Sequence, residues 1–427
     1  MIFRKRHVWR RLVACASLAA VLAAAPYVST SPARKPLSDA MLGRVHPIID
    51  AIYRLDYPLA VNLCQKIIQD YPDHPAGYVY CERVYFSREL SKARLLSAER
   101  AMGMDLFSGT PKFSLRVDRD ADMLFERTAE QATQKARLWI SKHPEDLSGP
   151  YLLGSAYAFK SSYEVSIRQS RMSASVDASK TFKALRDLVH QHNDIVDARA
   201  LTGAFSIVAD SLDRKTKAIA LVFFGIHGNL DAGRRDMEDA EQHGFVEDDD
   251  ARLLLSILDT REKKFDQAMA RLVQLHQRYP ENYLVHLDMA ALNLISGKPA
   301  DALSTYRQIL TTGYVRLEPS VALCRMGVTS RTIGDLAQSE RWLREAVRTP
   351  GISAPSLAIA SLELGKTLDL ERQRAGAIEQ YRRVVAAADV LGTREDAKQW
   401  LERPYDRAAM NQDNRGGGLI TLDDVTK

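Results

Sequence analysis

Apolar residues recur along this chain with helical spacing, and the helices they predict come in short, evenly placed pairs. In FDQAMARLVQLHQRYPEN (265–282), Ala268, Leu272 and Leu275 stand at i, i+4 and i+7 and fall on one helix face. Upstream, ARLLLSIL (251–258) predicts a second helix, with Asp249 or Asp250 available to cap its start. The intervening REKKFD is polar and turn-like, and Tyr-Pro-acid closes the unit. Related stops stand at QDYPDHP (69–75) and SKHPED (141–146), where proline cannot continue a helix.

The same order returns downstream. YLVHLDMAALNLISGKPADALSTYRQIL (283–310) carries Met289-Ala290, Gly297, then Ala302, Tyr306 and Ile309. CRMGVTSRTIGDLAQSERWLREA (324–346) carries Met326-Gly327, Gly334, then Ser339, Leu343 and Ala346. LELGKTLDLERQRAGAIEQYRRVV (362–385) carries Leu364-Gly365, then Ala377, Tyr381 and Val384. The small residues Ala268, Ala302, Ser339 and Ala377 are thus 34, 37 and 38 residues apart. Upstream copies place Ala60, Cys64 and Ile67 before Pro72, and Ala132, Ala136 and Trp139 before Pro144; Leu153-Gly154 with Tyr157, and Gly233, Met237 and Ala240, continue the plan. Between 161 and 227 the pattern fails; DARALTGAFSIVADSLDRKTKAIALVFFGI (197–226) fits one divergent or elongated pair without a fixed register.

The residue types follow from packing. Paired helices approach closely, so their crossing points take Gly, Ala or Ser, and the large residues fill the groove against the next pair. One pair cannot bury its apolar face alone, and stacking completes the core. With its period of about 34 residues, its large-Gly first helix, its small-x3-aromatic second helix and its closing proline, the chain resembles the tetratricopeptide repeat (TPR) family. The resemblance covers most of 40–402 and is strongest at 249–390. It implies an all-α, right-handed α-solenoid of nine or ten stacked helix-turn-helix pairs over 34–403, with a concave face. After Pro404, YDRAAMNQDNRGGGLITLDDVTK loses the apolar period, so 404–427 reads as a flexible tail with one short docking candidate, LITL (419–422).

Charge looks informative until it is located. Of 59 basic residues, seven lie in 1–35, which holds no acid; the rest of the chain carries 52 basic against 54 acidic residues, a net of −2. The body is finely mixed in sign and offers no basic face for a phosphate backbone, which excludes nucleic acid as the expected partner. The basic excess belongs to MIFRKRHVWRR, followed by the 14-residue apolar run LVACASLAAVLAAA and Pro26. That layout suits a secretory signal over 1–33 and is short for a membrane span. Cleavage after Ala23-x-Ala25 or within STSPA (29–33) remains open, as does an uncleaved anchor, the one membrane contact expected. LVAC lacks an apolar run before Cys15, so it is not a lipobox, and Arg10-Arg11 lacks the rest of a twin-arginine signal. The reading is therefore an exported protein of the bacterial periplasm or envelope, anchored in the inner membrane in the alternative.

No catalytic, metal or cofactor site is expected. ASLELGKT (360–367) has Ala360 where a phosphate loop needs Gly, and the repeat already explains Leu364-Gly365. His190-x-His192 points its two rings apart on a helix. EDDD (247–250) lacks the Gly and final Glu of a calcium loop and reads as charge at a helix start. What the resemblance implies is protein or peptide capture on the concave face, at first-helix positions such as Arg83, Tyr151, Phe159, Arg331, Lys366 and Asp369. It also sets Cys64 and Cys81 on helices that pack together, as a disulfide in an oxidising compartment or as two small buried hydrophobes. The competing function is an envelope enzyme, or a glycan or small-molecule binder, with ionisable residues converging in a pocket within 161–227.

Overall fold

The computed structural model describes residues 32–92, 117–212, 217, 221, 227–390 and 392–416. The signal-like segment and LITL lie outside them. The described residues hold eighteen helices and no strand. They run as successive inner and outer partners: α1 (Asp39–Tyr53) with α2 (Tyr57–Asp70), α3 (Ala76–Lys92) with α4 (Arg119–Lys142), α5 (Ser148–Ser166) with α6 (Arg171–Gln191), and α7 (Val196–Ser211) with α8 (Leu230–His243). Next come α9 (Asp248–Arg261) with α10 (Phe265–Arg278), α11 (Tyr283–Ile295) with α12 (Pro299–Thr312), α13 (Pro319–Thr332) with α14 (Leu336–Val347), and α15 (Ala354–Leu370) with α16 (Arg374–Ala386). Two terminal helices follow, α17 (Thr393–Glu402) and α18 (Arg407–Gly416). From α1 to α17 each helix packs on the next, and several inner helices also touch the next inner helix, as α13 touches α15. Among the described residues this is an all-α solenoid of eight helix pairs plus two closing helices.

The outer helices bury the triads read from the pattern. Ala60, Cys64 and Ile67 are the buried residues of α2, Ala268, Leu272 and Leu275 those of α10, and Ala302, Tyr306 and Ile309 those of α12. On α14 they are Ser339, Leu343 and Ala346. The inner helices are enclosed on more sides; α15 buries eleven of its 17 residues. Contact at the crossings is close enough to demand glycine: a Cβ on Gly327 would stand 2.4 Å from Leu343 Cγ, and one on Gly365 2.5 Å from Tyr381 Cε1.

The backbone repeats as faithfully as the side chains. Each inner-to-outer turn of the later pairs passes through one left-handed residue, at Lys263, Gly297, Gly334 and Arg372. Those four positions are again 34, 37 and 38 apart. Leu55 holds the same place between α1 and α2.

Two expectations change. Within 161–227, α6 and α7 are ordinary outer and inner helices. On α6 the outer-helix spacing is kept by Thr181, Leu185 and Leu188, and Gly154 of α5 crosses it so closely that a Cβ would stand 2.4 Å from Leu185 Cγ; the polar residues buried before them, among them Asp177, break the apolar pattern. The described part of the tail, to residue 416, is not free: Tyr405 and Met410 are buried, and Asp413 of α18 pairs with Lys366 of α15. Its polar composition hid this, since Met410 is the one buried side chain among residues 407–413.

Candidate partner-binding groove

The six residues expected on the concave face are all buried, none more than 8% exposed. Each is engaged by the chain itself, and they gather in two junctions.

The first contains Arg83 on α3 and Tyr151 and Phe159 on α5. Arg83 Nη2 donates to Asp250 Oδ2 at 2.8 Å, its Nη1 stands 3.8 Å from Glu247 Oε2, and its guanidinium lies 5.6 Å from the Phe159 ring centre. The Tyr151 hydroxyl donates to Glu247 Oε1 at 2.9 Å. The acids come from the EDDD run, 167 residues from Arg83 along the chain for Asp250. Their position is imposed by Asp197 on α7, whose Oδ1 accepts from the backbone N–H groups of Phe245, Val246 and Glu247 at 3.0, 2.8 and 2.9 Å. On the other side, Tyr53 donates to Asp250 at 2.5 Å and stacks on Tyr279 at 4.9 Å. Tyr279 donates to Asp249 at 2.7 Å and Asp50 at 3.1 Å, and Asn282 Nδ2 donates to the Tyr53 carbonyl at 2.7 Å. The Tyr-Pro-Glu-Asn stop is therefore both a helix terminator and a clasp on α1.

Burial dominates the electrostatics here. It pushes the Glu247 carboxyl up to about 8; Arg83 pulls the other way, and Asp250 and Asp197 add to the rise. Burial also raises Asp197 against its three backbone donors. For Arg83, burial opposes the charge, but Asp250 and Glu247 outweigh it and hold the pKa above its ordinary value. Beside it, Glu82 is fully buried with neither carboxyl oxygen hydrogen-bonded, and burial raises it well above the usual carboxylate range.

The second junction contains Arg331 on α13 and Lys366 and Asp369 on α15. Arg331 pairs with Glu363 and donates to the Glu363 carbonyl at 3.0 Å and Thr367 Oγ1 at 3.3 Å. Lys366 Nζ lies 3.4 Å from Glu363 Oε1 and donates to Asp413 Oδ2 on α18 at 3.0 Å. Tyr405 is the hub: its hydroxyl donates to Asp413 at 3.0 Å, and its ring lies 5.8 Å from the Arg331 guanidinium and 5.3 Å from Lys366 Nζ. Asp369 accepts from Arg374 at 2.9 and 3.1 Å, from the Tyr381 hydroxyl at 2.9 Å and from Tyr405 N–H at 2.8 Å, so it ties α15 to α16 and to residue 405. Burial tends to raise Glu363, but Lys366 and Arg331 prevail and hold it down at about 2.

Cys64 on α2 and Cys81 on α3 are joined by a disulfide with Cα atoms 5.3 Å apart. At the edge of 161–227, ionisable groups do meet, but as a paired network: Arg168 donates to Asp122 and Glu126, each at 2.8 Å, and to Glu164 at 2.5 Å, while Lys160 pairs with Glu126. No group of three or more His, Cys, Asp or Glu suited to a metal stands among the described residues.

Sequence reasoning placed the inner-helix residues but missed what meets them. Glu247, Asp250, Asp413 and Tyr405 lie outside the repeat pattern or far along the chain, and only the clustering of acid at 247–250 hinted at the first junction.

No family model and no curated protein sequence matches this chain. Among solved structures it is similar to yeast Tom70, at 15% identity and a TM-score of 0.37, over 89% of this chain and 90% of that one. It is also similar to the Cut9–Hcn1 hetero-tetramer of the APC/C, at 12% identity and a TM-score of 0.28, over 90% of this chain and 87% of that one. No helix among the described residues is long and apolar enough to cross a membrane.

Proposed function

We propose that the chain is a non-catalytic interaction scaffold, exported to the bacterial envelope, whose inner face holds a segment of another protein. One observation carries this reading: that face already holds polypeptide. It binds the 245–250 link at one junction and α18 at the other, through charge-assisted hydrogen bonds from Arg83 and Lys366 and aromatic contacts from Tyr151 and Tyr405. A preformed, buried set of donors and rings of this kind suits segment capture.

The test is photo-crosslinking in cells that make the protein. A crosslinking residue is placed on the inner helices at Met289 or Val328, neither of them fully buried, or at exposed Arg348 of an outer helix as control. Partner adducts are expected from the inner positions and not from the outer one. Equal yields at both faces, or none at either, sink the proposal. N-terminal sequencing of the mature protein tests export: a start at Met1 rules out signal cleavage.

A further inference from the structure

The second junction differs from a simple end cap in what it leaves to α18. Beneath that helix, Arg331, Lys366 and Tyr405 are buried and fixed by α13, α15 and Asp369. The two cations have one carboxylate of their own, Glu363; the second direct partner, Asp413, is supplied by α18, while Asp396 of α17 acts on Lys366 at longer range. One carboxylate serving two buried cations leaves this face with an excess of positive charge, so an acid from above is favoured there. The occupant provides little else. Of the seven side chains from Arg407 to Asp413, Met410 alone is buried, Ala409 packs partly beside it, and Asp413 is 45% exposed. Ten residues is also too short for a helix to persist by itself. The socket is more deeply buried and more fully bonded than the segment that fills it.

We infer that the inner face of α13 and α15 is a docking site for an amphipathic helix presenting an apolar residue and, one turn on, a carboxylate, and that α18 is its resident, exchangeable occupant. Resting on the scaffold reading above, this names the partner's chemistry: a helix that repeats the Met410–Asp413 spacing inserts its apolar side chain beside Trp400 and Tyr405 and its carboxylate between Lys366 and the Tyr405 hydroxyl. Tethering gives α18 an effective concentration of order millimolar, so free helices of similar strength are excluded until α18 is loosened.

The experiment uses the full chain and a fluorescein-labelled synthetic peptide of residues 406–416. The double variant Met410→Ala, Asp413→Ala, in the full chain, loosens α18; hydrogen exchange at 406–413 verifies this, and exchange across α13–α15 verifies that the socket stays folded. The variant is expected to bind the peptide at least tenfold more tightly than the unaltered protein does. A peptide carrying Met410→Asp and Asp413→Lys, or adding Lys366→Gln to the protein, is expected to abolish that gain. Three results overturn the inference: no peptide binding by a folded, loosened variant; equal binding by the unaltered protein; or unfolding of α13–α15 together with α18, which makes α18 a structural cap. The scaffold reading fails separately: crosslinked partner recovered from Val328 at equal yield in both proteins sinks only the exchange at α18, whereas no partner from any inner position sinks the scaffold.

Discussion

The two junctions use the same inner face and balance charge in opposite ways. At the first, Arg83 is shared between Glu247 and Asp250, with Asp197 behind them, and burial lifts Glu247 to about 8. At the second, Arg331 and Lys366 flank Glu363 and hold it at about 2. The first is short of cations and keeps a proton; the second is rich in them and sheds one. It follows that a buried carboxylate on this scaffold has no fixed character, and the number of cations the curvature brings to it decides its state.

The strongest way to break this comparison is to remove the cation each junction depends on. Arg83→Met removes the buried cation shared by Glu247 and the half-exposed Asp250, which keep only Tyr151 and Tyr53 as donors, and a loss of about 3 kcal/mol in denaturant stability is expected. Lys366→Met leaves Glu363 paired with Arg331, so a smaller loss, about 1.5–3 kcal/mol, is expected. Equal losses would mean that cation supply does not distinguish the two.

Acidity should then separate them. The folded pKa of Glu247 is raised, so its contribution to stability is complete below about 4.5 and is lost as pH rises through about 8. That of Glu363 is lowered, so its contribution is present above about 4.5 and is lost as pH falls toward about 2. Hydrogen exchange read by mass spectrometry should show protection at 245–260 falling several-fold between pH 6 and 9 while 356–369 is unchanged, and the reverse below pH 4. A common pH profile would remove the distinction.

One change should act on both regions alike. Lys263 ends the turn after α9 and Arg372 the turn after α15, both in the left-handed conformation that costs a non-glycine residue about 1–2 kcal/mol. Replacing either with Gly is expected to stabilise by about 1 kcal/mol or less, since glycine also loosens the unfolded chain. A gain at one site and a loss at the other would show that the repeat geometry is not shared. The smallest effect is expected from Asp413→Asn, below about 1 kcal/mol, because that carboxylate is nearly half exposed; a loss as large as that of Arg83→Met would make α18 integral to the core.

Much of the array was legible residue by residue. Ala268, Leu272 and Leu275, and their counterparts through Val384, occupy the buried face that their spacing predicts, and Gly327 and Gly365 stand where helices cross too closely for a side chain. Arg83, Tyr151, Arg331 and Lys366 were expected to line an open groove, but each is buried against partners that the sequence did not show. EDDD read as helix-start charge, and its first-turn acids do sit there. Nothing near it in the chain shows that α1, α3 and α5 would meet it.

The sequence by itself determined the unit: a helix pair, its crossing glycines, its stops and its period of about 34 residues. These depend on contacts within a few turns, where the spacing of small and large side chains settles the packing. Tertiary structure alone decided which units meet again. Small rotations between successive pairs add up over several repeats, and the accumulated curvature sets Tyr53 against Tyr279 and Arg83 against Asp250. The same curvature left an inner face at α13 and α15 on which α18 could fold back. No local pattern encodes such a sum.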